Sequence, residues 1–302
     1  MLTGAVHSYI AFRRAAGFSL SQVEPILLDF ARHARSLGES CVRTETAIDW
    51  ARQSRSPARR EFRLRAVIIF ARHMRGEDAR HEVPPCGILG PTRHRRPTPF
   101  IFTPDQIVAL VCEASRLGPP RSLRPQTYAT LFSLLASSGL RVSEALSLRL
   151  DDITPDGLRV RMTKFRKSRI VPLHETAAAG LGRYLAIRSR VVGDRVFVHP
   201  DGRPLPYAMV QWTFRRLVRT GAFATSPGQP RPRIHSLRHT FAVRALEACA
   251  GDRTRIARHQ IALMTYLGHA HLESTYWYLQ ATPHLLRDIA SCCETYGFKG
   301  AA

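Results

Sequence analysis

The feature that most constrains the fold is a break in helical periodicity between residues 82 and 99. This stretch holds five Pro, two Gly and a cluster of basic residues, a composition typical of an extended linker. On both sides of it, apolar residues recur at helical spacing. We therefore predict two domains joined by a basic linker over 82–102, and the 302 residues are enough for two hydrophobic cores.

Residues 1–81 are predicted to form a small helical domain. Its apolar residues recur at the spacing of four short helices whose outer faces carry Arg. Ser19 or Ser21 is predicted to cap the second helix, and Glu24, three residues after Ser21, matches the partner in a capping box. The first domain is thus expected to be a compact bundle with a basic surface.

Residues 103–302 are predicted to form a second, mainly helical domain. Thr103 followed by Pro and Asp is a typical helix start. Two stretches, Leu158-Arg-Val-Arg-Met-Thr and Arg169-Ile-Val-Pro-Leu, read as paired strands with a turn between them. The predicted fold class is therefore mainly α with a small β-hairpin, an α+β fold. Trp212 is predicted to lie in the core.

Charge points to polyanions as partners. The chain has 45 Lys+Arg against 23 Asp+Glu, a net charge of +22, and both halves are basic. Its six Cys are scattered without a zinc-binding spacing, so no metal site is predicted and free thiols in a reducing cytoplasm are expected. No apolar run approaches the ~18 residues of a membrane span, so no membrane association is expected.

Four separated motifs concentrate polar residues that suit phosphate chemistry. In chain order they are Ser138-Gly-Leu-Arg-Val-Ser-Glu-Ala-Leu, Lys164-Phe-Arg-Lys-Ser-Arg-Ile-Val-Pro-Leu, His235-Ser-Leu-Arg-His-Thr-Phe-Ala and Leu267-Gly-His-Ala-His-Leu-Glu-Ser-Thr-Tyr-Trp-Tyr-Leu. His235 and Arg238 share one face of a predicted helix. Arg is a bidentate partner for phosphate oxygens, and Tyr can act as a covalent nucleophile. Two Arg, two His, one Lys and one Tyr would complete a metal-free phosphoryl-transfer site.

These motifs resemble the tyrosine recombinase (phage integrase) family. That family's boxes are similar to Gly-Leu-Arg-x-Ser-Glu, His-x-Leu-Arg-His and Leu-Gly-His followed by a Tyr nine residues after the His, which is Tyr278 here. Its catalytic lysine precedes an Arg-x-Val-Pro-Leu strand, which matches Lys164. The resemblance covers about residues 103–290, with four boxes in the right order.

The resemblance implies a role for each matched residue. Arg141 and Arg238 would hold the non-bridging oxygens of the scissile phosphate, and Glu144 would orient Arg141 or its helix. Tyr278 would attack the phosphorus, forming a 3′-phosphotyrosyl link. Tyr276 is the alternative nucleophile, but the two tyrosines face different ways, and the spacing favours Tyr278.

The resemblance implies that the remaining matched residues transfer protons. Lys164 would protonate the leaving 5′-oxygen, whereas Arg is too basic to donate a proton easily. The chain has 42 Arg and only three Lys, two of which lie in the predicted hairpin. Lys167 is therefore the alternative donor. His235 and His269 would assist proton transfer and orient the phosphate.

The resemblance further implies a site-specific DNA recombinase of a mobile element, which acts by integration, excision or transposition and needs no ATP, metal or other cofactor. Two domains would clamp duplex DNA in a C shape, and a tetramer, or an assembly with related recombinases, would form on synapsed DNA. The expected location is cytoplasmic and nucleoid-associated. A helix near 283–292 is predicted to dock on a neighbouring protomer or on its own chain. The alternatives are a type IB topoisomerase-like enzyme and a catalytically idle DNA-binding protein.

Overall fold

A computed structural model describes most of the chain and divides it into two compact units, Met1–Arg96 and Pro97–Ala302. The described residues are 2–90, 98–119, 121–161, 168–220, 230–248 and 253–268. The fold is mainly helical with a small antiparallel sheet, so the predicted fold class is confirmed. Within these ranges, no helix is both long and apolar enough to cross a lipid bilayer.

The described part of the first unit contains four helices. They are α1 (Leu2–Ala15), α2 (Val23–Ser36), α3 (Thr44–Arg52) and α4 (Pro57–Glu77). Their apolar faces meet in one core, in which Phe30, Trp50 and Phe70 are almost fully buried. The four helices agree with the apolar periodicity of the sequence.

The predicted capping box at Ser21 is wrong. Helix α2 begins at Val23 after Gln22, and no side chain caps it. The carbonyl of Leu20 instead accepts hydrogen bonds from the amides of Val23 and Glu24, at 3.0 and 2.9 Å. Because the backbone itself satisfies these free amides, no serine side chain is required.

The second unit is built around helices with a three-stranded sheet on one side. The helices are α5 (Pro104–Ser115), α6 (Arg124–Ser138), α7 (Val142–Ser147), α8 (Glu175–Arg188), α9 (Tyr207–Thr220), α10 (His235–Glu247) and α11 (Arg253–Leu267). The strands β1 (Ile153–Thr154), β2 (Gly157–Val160) and β3 (Arg169–Val171) are antiparallel in the order β1-β2-β3. Val160 pairs with Arg169, which sets the base of the predicted hairpin.

Helix α6 forms the centre of the second core and packs against α5, α8 and α10. Helix α5 begins after Thr103, as predicted, and Thr103 caps it through a complete capping box. Trp212, in contrast, was expected in the core and is 53% exposed. Val210, Thr213, Phe214 and Leu217 form the inward stripe of α9, and this stripe turns Trp212 towards solvent.

Candidate active site

The first predicted box lies in a tight connection between α6 and α7. Helix α6 ends at Gly139, whose φ of +60° is a left-handed conformation that favours glycine. A Cβ atom at this position would overlap the Phe241 ring. The chain then extends through Arg141 (φ −68°, ψ 145°), which occupies the position directly before the first turn of α7. The glycine turn therefore sets where the Arg141 side chain begins.

Glu144 is the acceptor at the centre of this region. Its carboxylate accepts hydrogen bonds from the Arg141 amide (2.9 Å) and the Arg141 Nη1 (2.7 Å). Arg169 adds two more, from Nη1 at 3.2 Å and Nη2 at 2.9 Å. Burial acts to raise the pKa of Glu144, but the hydrogen bonds from Arg169 and Arg141 outweigh it and hold the pKa below its ordinary value. Glu144 is thus held as a carboxylate.

Helix α10 contributes the second predicted box. Arg238 is buried, and its Nη1 donates to the Gly139 carbonyl and its Nη2 to the Leu267 carbonyl, each at 2.7 Å. Its Nη1 also lies 4.0 Å from the Glu144 carboxylate. Arg238 therefore connects α10 to the first box and to the end of α11.

Three arginines from separate segments bind consecutive carbonyls at the end of α11. Arg169 Nε donates to Tyr266 (2.8 Å), Arg238 Nη2 to Leu267 (2.7 Å) and Arg141 Nη2 to Gly268 (3.3 Å). The carbonyl end of a helix carries partial negative charge, so the three cations also suit its dipole. The described residues of all four boxes thus meet at the end of α11.

His235 begins α10 one turn before Arg238 and remains exposed to solvent. Its ring contacts that of His239 edge-on, with centroids 4.5 Å apart. Surrounding protein atoms desolvate the imidazolium, and Arg238 and Arg141 repel it, which lowers the pKa of His235 to about 4. His235 is therefore neutral near pH 7 in the free protein and can accept a proton.

The structure places four of the seven predicted site residues and brings them together: Arg141, Glu144, His235 and Arg238. The other three, Lys164, His269 and Tyr278, lie outside the described residues, as do the alternatives Lys167 and Tyr276 and the predicted tail helix. Their flanks are described, because β3 follows the lysine segment and Gly268 precedes His269.

Two residues of this region were not singled out from the sequence. Arg169 entered only as part of the strand pattern in the second motif, although its place shortly after Lys164 in that motif was a usable signal. Tyr266 donates its hydroxyl to the Pro172 carbonyl at 3.3 Å, and burial raises its pKa to about 12. That phenol is therefore poorly suited to act as a nucleophile.

One group of possible metal ligands comes together among the described residues. Cys41, Asp78 and His81 in the first unit hold their polar atoms within 4.8 Å of one another. Arg80 already pairs with Asp78, and the Val42 amide donates to Nδ1 of His81. A neutral His81 then carries its proton on Nε2 and has no lone pair left for a metal. The donor chemistry therefore does not favour a metal at this group.

Comparisons with known proteins agree with this arrangement. Residues 101–284 match the family described as the phage integrase family. The integrase/recombinase y4rB of Sinorhizobium fredii is 36% identical over 297 residues, which cover 94% of each chain. The tyrosine recombinase XerD of Caulobacter vibrioides is 30% identical over 248 residues, 81% of this chain and 77% of that one.

Solved structures agree at the level of the fold. The Tn1549 transposon integrase in complex with transposon right end DNA has a TM-score of 0.68 at 18% identity, covering 96% of this chain and 98% of that one. The XerH site-specific recombinase bound to its difH substrate has a TM-score of 0.67 at 16% identity, covering 97% and 85%.

Proposed function

Since this chain belongs to the phage integrase family of tyrosine recombinases, we propose that it cuts and rejoins DNA through a 3′-phosphotyrosyl intermediate. Site-specific recombination is the activity that the family supports. The finer proposal is that the chain integrates, excises or transposes a mobile element. The observation that carries the phosphotyrosyl proposal is that Arg141 and Arg238 both bind the end of α11, with His235 close to both arginines. The residues that follow in the sequence complete the Leu-Gly-His box and include its tyrosine.

Cleavage would proceed as one in-line exchange at phosphorus. The phenolic oxygen of Tyr278 attacks, the bond from phosphorus to the 5′-oxygen breaks, and Lys164 gives that oxygen a proton. Arg141 and Arg238 hold the two non-bridging oxygens and stabilise the charge that builds in the transition state. His235, neutral in the free protein, and His269 accept or return protons.

Rejoining would be the same step in reverse. A 5′-hydroxyl of another strand attacks the phosphotyrosine and gives its proton to the Lys164 amine. The bond from phosphorus to the phenolic oxygen breaks, and His235 or His269 returns a proton to Tyr278. Because the phosphotyrosine conserves the energy of the phosphodiester, no ATP is consumed, and the arginines supply the charge that a metal ion would supply elsewhere. We therefore propose chemistry without a cofactor.

Duplex DNA is the proposed partner of both units. The first unit, with its Arg-rich helices, would act as a core-binding domain, residues 82–102 as a linker and residues 103–302 as the catalytic domain. A clamp around the duplex and a tetramer, or a mixed assembly with related recombinases, on synapsed sites would follow. Phosphate contacts should then dominate affinity, so binding should weaken steeply as salt increases.

The test uses nicked duplexes that carry the DNA flanking the chain's own gene. Protein and DNA are mixed in the presence of a chelator and separated on a denaturing gel. The wild type should give a covalent protein–DNA band, Tyr278→Phe should give none, and the matched control Tyr276→Phe should keep it. Lys164→Ala compared with Lys167→Ala identifies the proton donor in the same assay.

The outcomes separate the competing functions. DNA binding without a covalent band on any of these duplexes would support the idle DNA-binding protein and contradict the proposal. Relaxation of supercoiled plasmid without exchange between two duplexes would favour the topoisomerase-like alternative. Loss of the band in Tyr276→Phe instead of Tyr278→Phe would overturn the assignment of the nucleophile alone.

A further inference from the structure

Arg169 occupies the point where the predicted lysine hairpin returns to the sheet. It is the first residue of β3 and pairs with Val160 of β2, so the two ends of the sequence segment 161–168 lie side by side. Arg161, at the other end of that segment, is held by Asp151 and Asp152. Both ends of the lysine segment are thus anchored by Arg–carboxylate pairs.

The Arg169 guanidinium is engaged on all three nitrogens. Nη1 and Nη2 form a two-pronged pair with the Glu144 carboxylate, and Nε donates to the Tyr266 carbonyl. The side chain is 12% exposed, and a Cβ atom on Gly268 would lie 2.8 Å from Nη1. Arg169 therefore packs directly against the last residue before His269 as well as against the carboxylate that binds Arg141.

We propose that Arg169 is a positioning residue, which holds Glu144, the start of β3 and the end of α11 in one fixed arrangement. This inference rests on the proposed function, because the three segments would present Arg141, Lys164 and the residues after Gly268 to the same phosphate. Arg141 and Arg238 also bind the end of α11, but both are assigned to the phosphate. Arg169 differs because no role at the phosphate is assigned to it, and its three nitrogens are hydrogen-bonded to Glu144 and Tyr266.

The geometry requires a guanidinium rather than any cation. Two parallel N–H groups match the two carboxylate oxygens of Glu144, and a third N–H points to a backbone carbonyl. A lysine at this position carries one ammonium group on a flexible stem and cannot reproduce the fork. Arg169→Lys is therefore the variant that distinguishes the fork from simple charge.

The first measurement is the single-turnover rate of covalent complex formation, with DNA affinity measured separately. Arg169→Met should lower the rate about 10- to 100-fold, because small displacements of reacting groups have effects of that size, while affinity changes less than about two-fold. Arg169→Lys should not recover the wild-type rate. The matched control is Arg183→Met, which replaces an exposed arginine on α8. This variant should keep the wild-type rate.

The pH profile separates positioning from a loss of folding. Glu144 is faced by Arg141 at the start of α7, Arg169 on β3, and Arg238 and His235 on α10. Without Arg169, burial should raise the pKa of Glu144, so the variant should lose rate towards acid pH over a range in which the wild type is flat. A variant that is merely less folded would show the same profile as the wild type at a lower amplitude.

Hydrogen exchange gives a readout that does not need activity. Arg169→Met should increase amide exchange at two distant places, residues 141–147 and the end of α11 up to 268. Exchange changes confined to β3, or an unchanged rate and pH profile beside an active wild type, would overturn the inference. If the wild type forms no covalent complex but exchange rises at both places, the proposed function fails while the coupling through Arg169 stands.

Discussion

Arg188 and Arg238 are both almost completely buried, at 1% and 2% exposure, and both donate hydrogen bonds to backbone carbonyls. Arg188 binds the carbonyls of Val191, Gly193 and Arg195, which all lie in the loop that follows its own helix. The carbonyl partners of Arg238 lie 99 residues earlier and 29 residues later in the chain. Burial is the same in the two cases, but the sequence distance of the acceptors differs.

We interpret this difference as separating a structural arginine from an arginine of the proposed site. Arg188 closes one loop on itself, so its loss should affect the stability of the second unit and little else. Arg238 brings three distant segments to one point, beside His235 and close to Glu144. A buried cation therefore does not by itself identify a site; the convergence of separate segments on it does.

The largest expected effect is on catalysis in Arg238→Lys. The substitution keeps the positive charge but removes the planar fork, and loss of one such stabilising donor typically slows a reaction by ~10²- to 10³-fold. The control Arg188→Lys should react within about two-fold of the wild type per folded molecule. Single-turnover cleavage, normalised to the folded fraction by circular dichroism, measures both. Equal losses in the two variants would remove the distinction between these arginines.

The free energy of unfolding is the quantity that Arg188 should affect. Arg188→Met leaves the carbonyls of the 191–195 loop without their donor, and the buried unpaired groups should lower the free energy of unfolding by roughly 2–4 kcal/mol. Urea denaturation of the full chain, monitored by hydrogen exchange in peptides of the second unit, measures this loss. A change of less than about 0.5 kcal/mol would show that the loop does not need Arg188.

Sequence patterns predicted the elements better than they predicted these contacts. Apolar periodicity gave the helices, and the four boxes identified Arg141, His235 and Arg238, because their residue types and spacing carry the chemistry. Arg188 and Arg169 were missed for a physical reason. Within a helix or strand an arginine normally faces solvent, and only the tertiary fold shows that carbonyls of a following loop or a helix end surround it.

The errors have the same origin. Serine is a residue type that often caps helices, but at Ser21 the cap is not needed. The carbonyl of Leu20 accepts the hydrogen bonds of the first amides of α2. Trp212 has the hydropathy of a core residue, but the inward stripe of α9 is filled by Phe214 and its neighbours. Local propensity indicates which conformations and environments suit a residue. Packing against distant segments determines which of them the residue adopts in the fold.

Two glycines provide a smaller and matched test, because each offers its carbonyl to one of the buried arginines. Gly139 (φ +60°) accepts from Arg238, and Gly193 (φ +126°) accepts from Arg188. Substitution by Ala strains the backbone at both positions and should lower the free energy of unfolding by about 1–3 kcal/mol in each case.

The two glycine variants should differ in catalysis. Gly139→Ala must also displace Phe241 and shifts the turn before Arg141, so cleavage should slow by about ten-fold or more. Gly193→Ala should cleave at the wild-type rate per folded molecule. Thermal denaturation and single-turnover cleavage give the two quantities, and slow cleavage in Gly193→Ala would contradict the assignment of its loop to structure alone.

The smallest expected effect is electrostatic and concerns His235. Desolvation by the surrounding protein atoms is the main cause of its low pKa of about 4, and Arg238 and Arg141 lower the pKa further while Glu144 raises it. Arg238→Gln should therefore raise the pKa of His235, although this desolvation keeps it below the ordinary value, whereas Arg188→Gln should leave it unchanged. NMR titration of ¹⁵N-labelled histidines measures both variants.

The same pKa predicts how stability depends on pH. The unfolded chain has a His235 pKa near 6.5 and the folded chain one of about 4, so the unfolded state binds more protons between these values. The contribution to stability is complete above about pH 6.5 and is lost as the pH falls towards 4. Arg238→Gln should raise the lower end of the pH range over which this stability is lost, and Arg188→Gln should leave the range unchanged. An identical pH dependence of the two unfolding curves would mean that the charge of Arg238 does not reach His235, and the electrostatic part of the contrast between the two buried arginines would fail.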